Sequence, residues 1–352
     1  MTKPSLGTIY MLKYFSDHFL LGCIALNIAL ISNQTWSAQP YNNTATETQA
    51  LENYMEHERV RAGLHSKSLT LNKIKWRYSE GGDLNKPSVL LLHGLAGNRD
   101  HWNLLAQFLT PYYHVVIPDL PHNGDTKVQA NFDGSVPNVT SELRYFIEHL
   151  GIQEHLHVAG HSFGGSIATI YAAEYPFDTQ SLFLLNSAGI YKKSQTSYTL
   201  DPNNLKNLVV SKPGDFEQVL SKLMQNPPMV PYAVKLAKEK QLIKRSNDNI
   251  RMIDQLVSLN KIYTPDSFAR LTRTVEAPTL ILWGKQDKII DVEAAAELQT
   301  LLKRAEKPIL LNNVGHVPML EAEKQVAAHY LPFLAKTQQF KNPLNDRLIP
   351  LN

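Results

Sequence analysis

The sequence predicts an α/β protein: a mostly parallel central sheet flanked by helices, with a helical cap inserted before the last two strands. Three observations predict it. Short apolar runs alternate with helical patterns along much of the chain, as parallel sheets require. That alternation pauses between residues 190 and 270 and then resumes. One apolar run ends directly in a serine framed by glycines, Gly160-His161-Ser162-Phe163-Gly164.

The chain begins with a segment of a different kind. Phe19–Ile31 reads FLLGCIALNIALI, preceded by Lys3 and Lys13 and followed by TWSAQP. Thirteen helical residues span ~20 Å, short of a ~30 Å hydrocarbon core. Lys13, Asp17 and His18 oppose extension upstream. A basic flank, a short apolar core and the small residues Ser37 and Ala38 mark residues 1–38 as a secretory signal peptide or, if retained, an N-terminal membrane anchor. Met11 would start a more compact version of it. Leu20-Leu21-Gly22-Cys23 resembles a lipoprotein cleavage box, but the run stays apolar beyond Cys23. The protein is therefore expected to be exported: periplasmic, secreted or membrane-anchored.

Residues 39–66 are polar and read as a linker with an entering helix. SVLLLHG (88–94) is a strand, HWNLLAQFL (101–109) a helix and YHVVIPDLP (113–121) a strand. SELRYFIEHLG (141–151) is an amphipathic helix ended by glycine. LHVAGHS (156–162) is a strand, SIATIYAAEYP (166–176) the helix behind it, and SLFLLNSAG (181–189) another strand. Residues 190–270 carry Pro202, Pro213, Pro227, Pro228 and Pro231 between helical patterns such as DFEQVLSKLM and NIRMIDQLVSL, the expected cap. The rhythm then resumes with TLILWGKQD (279–287), a helix, KPILLNNVGH (307–316) and a closing helix. The expected core is 67–189 with 271–340, and 341–352 a tail. An insertion at this point sits over the carboxyl edge of the strands, where open α/β sheets bind ligands.

Composition narrows the function. With 352 residues and 43% hydrophobic content, the chain suits one large α/β domain with an insertion, or two small domains. A net charge of +3 gives no electrostatic case for nucleic-acid binding. The single cysteine, Cys23, excludes an intrachain disulfide. No Cys/His spacing suggests a metal, and no cofactor is expected.

The glycine-framed serine fits a nucleophile elbow, in which small neighbours tolerate a strained turn that exposes the hydroxyl. A bystander serine in a strand–helix turn would look the same. A serine hydroxyl needs a base, and the base needs an acid to fix its tautomer. Asp287 closes the run LILWGKQD, and His316 follows ILLNNVG. Alone, each reads as a turn or loop residue. In the order Ser, Asp, His, each near the carboxyl end of a strand, they make a candidate triad. The strand after the serine's helix ends in Asn186-Ser187 and offers no rival carboxylate. For an oxyanion, the backbone N–H groups of Phe163 and of Leu95, in HGLAGN, are the candidates. His93 is read as bracing that loop.

The motifs HGLAGNRDHW, DLPHNGDT, GHSFGG, LILWGKQDKIIDV and NNVGHVPMLE resemble the α/β-hydrolase superfamily in order and spacing, over roughly residues 68–336. Within it, WGKQDKIIDV and the cap sequence NPPMVPYAVKL are most similar to membrane-associated monoacylglycerol lipases and related cold-adapted bacterial lipases. The resemblance implies Ser162 as nucleophile, Asp287 as acid, His316 as base, and Leu95 with Phe163 as oxyanion amides. It implies a serine hydrolase of acylglycerols or similar lipid esters. One departure is His122, where relatives commonly carry glycine. Carbon–carbon hydrolases of ring-cleavage diketones share this pattern, and a ligand-binding protein on a hydrolase scaffold is the non-enzymatic alternative. Met224, Pro227, Pro228, Met229, Val230, Tyr232 and Val234 adjoin the basic run KLAKEKQLIKR. These residues suit either docking on anionic lipid or a cap helix with a solvated charged face.

Overall fold

The structure is a computed structural model that describes residues 47–259 and 264–343. The expected export segment, and the tail from residue 344, lie outside the described residues.

Eight strands form one sheet: β1 (Leu64–Leu71), β2 (Ile74–Gly81), β3 (Ser88–Leu92), β4 (His114–Pro118), β5 (Leu156–His161), β6 (Thr179–Leu185), β7 (Thr279–Gly284) and β8 (Ile309–Leu311). Their spatial order is β1-β2-β4-β3-β5-β6-β7-β8. β1 pairs antiparallel with β2, and β2 with β4; every later pairing is parallel. Strands β3 to β7 are buried on both faces, which is why their sequences read as unbroken apolar runs; β8, at the edge, exposes Leu310. Successive residues face opposite ways. Leu90, Leu92, Leu182 and Leu184 enter one apolar cluster with Trp76, Phe146 and Trp283. Val89, Leu91, Phe183 and Leu185 enter the other with Trp102, Leu109 and Tyr330.

The helices in chain order are α1 (Glu47–Arg61), α2 (Asn103–Leu109), α3 (Val136–Leu150), α4 (Phe163–Glu174), α5 (Ser197–Leu200), α6 (Asp215–Leu223), α7 (Tyr232–Lys244), α8 (Ser246–Leu259), α9 (Pro265–Thr272), α10 (Glu293–Leu301), α11 (Pro318–Glu321) and α12 (Glu323–Thr337). Elements α5 to α9 all fall between β6 and β7, and no strand occurs there among the described residues.

Several boundaries differ from the sequence reading for local reasons. The β1–β2 hairpin was not expected. Its two-residue turn, Asn72-Lys73, has both φ angles positive (47° and 65°), the backbone of a tight hairpin loop. α3 starts five residues early because Ser135 caps it, accepting the Asn138 N–H, with proline in its first turn. α4 starts at Phe163, with no loop after the serine. β8 keeps three residues, leaving His316 in a loop.

At the starting edge of the strands, Glu80, His114 and Ser88 form a buried polar line. The His114 Nε2–H donates to Glu80 at 2.8 Å, and the Ser88 hydroxyl meets His114 Nδ1 at 3.0 Å. Lys67 also pairs with Glu80. The His114 hydrogen bond and Lys67 hold the Glu80 carboxyl down to about 2 against an ordinary 4.5. A depressed carboxyl stabilises the fold above its unfolded value and loses that contribution as pH falls toward its folded one. Glu80→Gln is therefore expected to cost up to about 3 kcal/mol at pH 7 and progressively less from pH 4.5 to 2, by urea denaturation. An equal cost at pH 7 and pH 2.5 would contradict this.

Candidate active site

Ser162 stands between β5 and α4 with φ 50° and ψ −122°, a conformation costly for any side-chain-bearing residue. Surrounding hydrogen bonds hold it there. Its N–H donates to Leu185 O at 3.2 Å, and its carbonyl accepts from Gly165 and Ala188, both at 2.8 Å. The turn is tight enough to exclude side chains beside it. A Cβ on Gly160 would lie 2.2 Å from Gly164 O, and one on Gly164 2.3 Å from Leu92 O.

The three residues singled out from the sequence meet. The Ser162 hydroxyl lies 3.0 Å from His316 Nε2, and His316 Nδ1 lies 2.8 Å from Asp287 Oδ2. The tautomer follows from the partners: Nδ1–H donates to the carboxylate, which leaves the Nε2 lone pair for the serine. Asp287 is fully buried and accepts three further N–H groups: Asn186 Nδ2 at 2.7 Å, Ile289 at 2.8 Å and Ile290 at 3.0 Å.

Phe163 directly follows the serine, and the turn that holds Leu95 packs against it. A Cβ on Gly94 would lie 3.1 Å from Ser162 Cβ, so the Gly94–Gly97 turn presses on the elbow. That turn is closed by Gly97 N–H donating to Gly94 O at 3.1 Å. Among the described residues, neither the Leu95 N–H nor the Phe163 N–H has an acceptor. His93 is buried below: its Nδ1–H donates to Gly94 O at 2.8 Å, and Nε2 accepts the Leu120 N–H at 3.0 Å. Burial lowers its pKa and keeps it neutral, as this donor–acceptor pair requires.

Sequence reasoning did not find the supports of this line. Asn186, noted only as not being a carboxylate, has φ 44° and bridges Asp287, Gly284 N–H and Gly315 O. His161, the variable residue of the elbow, donates from Nε2 to the His316 carbonyl at 2.7 Å. Burial, with His316 nearby, keeps it neutral by lowering its pKa. His122 sits at φ 65°, in the left-handed region that favours glycine, and Arg245 donates to its carbonyl at 2.9 Å.

Part of the basic run of α7 is engaged within the protein, while Lys240 and Lys244 stay exposed. Lys235 pairs with Glu217 and Lys240 with Glu47, and Arg245 binds the carbonyls of His122 and Gly124. Lys238 and Lys244 line a cavity of about 340 Å³ bounded by α1, α7 and residues 96–98; neither Ser162 nor His316 lines it. Two apolar residues at the start of α7 are open to solvent. Met229 is 99% exposed and Tyr232 80%.

Residues 87–323 match the family described as the alpha/beta hydrolase fold. The chain belongs to the alpha/beta hydrolase fold family. A relative named Lipase 1, from Psychrobacter immobilis, is 32% identical over 79% of this chain and 87% of its own. The monoacylglycerol lipase ABHD6 of Homo sapiens is 28% identical over 73% of this chain and 78% of its own. Among solved structures, a protein described as a candidate lipase (lip1) from Acinetobacter baumannii AYE superposes with a TM-score of 0.81. It is 54% identical and covers 82% of this chain and 96% of its own. With such relatives, this member of the alpha/beta hydrolase family is an enzyme of the serine ester hydrolase class.

The elbow's tolerance for side chains is testable. Gly164→Ala places a methyl against the Leu92 carbonyl and is expected to destabilise by about 1–3 kcal/mol, visible as a Tm lowered by several degrees. An unchanged Tm would contradict the close approach.

Proposed function

We propose that Ser162, His316 and Asp287 are the catalytic triad of a carboxylic-ester hydrolase acting on acylglycerols or similar lipid esters. The observation that carries this is the hydrogen-bonded line from a buried carboxylate through one imidazole to a serine on a strained elbow. His316 Nε2 takes the serine proton as Oγ attacks the ester carbonyl. The N–H groups of Leu95 and Phe163 stabilise the oxyanion of the tetrahedral intermediate. Its collapse passes the proton from His316 to the leaving alcohol and leaves an acyl-enzyme. Water, deprotonated by the same imidazole, cleaves the acyl-enzyme. Asp287, hydrogen-bonded to Nδ1, holds the tautomer throughout.

Helices α5 to α9 act as the cap over this site, and residues 1–38 direct export or anchor the chain. Lipid contact by the cap centres on the exposed Met229 and Tyr232; in the adjoining basic run, Lys235, Lys240 and Arg245 already have partners within the protein. The names of the lipase relatives support the substrate class.

Ser162→Ala is expected to abolish turnover of p-nitrophenyl esters and monoacylglycerol while the protein stays folded. Asp287→Asn, which disturbs the tautomer, should lower kcat by at least about 10²-fold. In a panel of mono-, di- and triacylglycerols, phospholipids and ring-cleavage diketones, monoacylglycerol is the expected best substrate. Met229→Ser with Tyr232→Ser should slow its cleavage from vesicles but not that of a soluble ester. Preference for the diketone would install the carbon–carbon hydrolase reading. Retained activity in Ser162→Ala would refute the triad.

A further inference from the structure

The loop that carries His316 is joined to the insertion between β6 and β7 at one place. α6 ends at Leu223, whose carbonyl accepts the backbone N–H of His316 at 2.7 Å. The next turn of chain brings two more N–H groups. Gln225 at 2.7 Å and Asn226 at 3.1 Å both donate to Glu321 Oε2. The other oxygen of that carboxylate accepts the Gly315 N–H at 3.0 Å. The Asn226 side chain donates to Asn313 O at 2.8 Å. Between them, Met224 is buried in the same apolar cluster as Val314 and Val317. The two stretches touch because residue 315 lacks a side chain: a Cβ there would lie 2.5 Å from Leu223 O.

We propose that Glu321 is a positioning residue: its carboxylate clamps residues 223–226 of the cap to the loop 313–316, and so sets where the His316 imidazole stands relative to Ser162. This rests on the reading of His316 as the base. Glu321 contacts none of the reacting groups. It acts through the backbone of Gly315, next to His316, and through the cap segment that binds the His316 N–H. Three N–H donors converge on it, a site that suits an ionised carboxylate, which only accepts. A glutamine of the same size has one carbonyl oxygen, so its NH₂ would face donors on one side and open half of the clamp. Proton transfer needs the imidazole aligned at about 3 Å, so a loosened loop slows chemistry before it weakens substrate binding.

The test is steady-state hydrolysis of p-nitrophenyl butyrate by the full chain and its Glu321→Gln, Glu321→Asp and Asn226→Ala variants. Glu321→Gln is expected to lower kcat about 10- to 100-fold with KM within about threefold of the parent. Glu321→Asp, which keeps the charge with shorter reach, should recover part of that loss. Asn226→Ala removes one exposed link and should lower kcat by about two- to fivefold. Should Glu321→Gln fail to fold, Asn226→Ala decides. Parental kcat in the variants that fold, or a loss confined to KM, overturns the clamp while the hydrolase reading stands. No turnover by the parent chain overturns the hydrolase reading, and the clamp with it.

Discussion

A carboxylate removed from water must be surrounded by donors, and Asp287 gathers four of them from three stretches of chain. Asn186 comes from the end of β6, Ile289 and Ile290 from the turn after β7, and His316 from the loop after β8. Once that buried charge is satisfied, the ends of three neighbouring strands are fixed with respect to one another. The imidazole has one orientation, because the carboxylate fixes Nδ1 as the donor. The serine hydroxyl then finds the remaining nitrogen. Replacing the carboxylate would disturb the sheet's carboxyl rim as well as a proton path.

The same rim shows how close packing and chemistry reinforce one another. The elbow holds Ser162 in a costly backbone conformation because backbone atoms of β3 and α4 leave no space for a relaxed one. That turn leaves the hydroxyl 3.0 Å from His316 Nε2, with the first residue of α4 directly after it. A second serine–histidine–carboxylate group, with glutamate in place of aspartate, meets at the opposite rim, where Ser88, His114 and Glu80 are also hydrogen-bonded in line. There the serine begins a strand and is not among the residues with positive φ, and it has no elbow. Residue types alone therefore do not separate the two groups; the strained turn does.

Much of this was legible in the sequence, for physical reasons. Strands buried on both faces write themselves as apolar runs, and an elbow this tight writes itself as glycines at positions 160 and 164. Order along the chain then selected Asp287 and His316. The β1–β2 hairpin was not legible, because LHSKSLTL has a half-solvated alternation and its turn uses Asn72-Lys73 where Asn-Gly would be the stronger signal. The supports were not legible either. Asn186, His161 and Glu321 matter through contacts with residues at least six and up to 155 positions away, which no local pattern records. The basic run of α7 left two readings open, a lipid-docking surface or a solvated charged face, because the carboxylates and carbonyls that engage Lys235, Lys240 and Arg245 come from other parts of the chain.

The central claim is that one hydroxyl, out of all the serines present, is made nucleophilic by the line running back to Asp287. Its most direct test is to treat the folded protein with a fluorophosphonate and map the adduct by mass spectrometry. The account predicts one stoichiometric adduct, on the peptide containing Ser162, lost when the protein is unfolded before treatment. An adduct on Ser88 or elsewhere, or none on the folded protein, would contradict it.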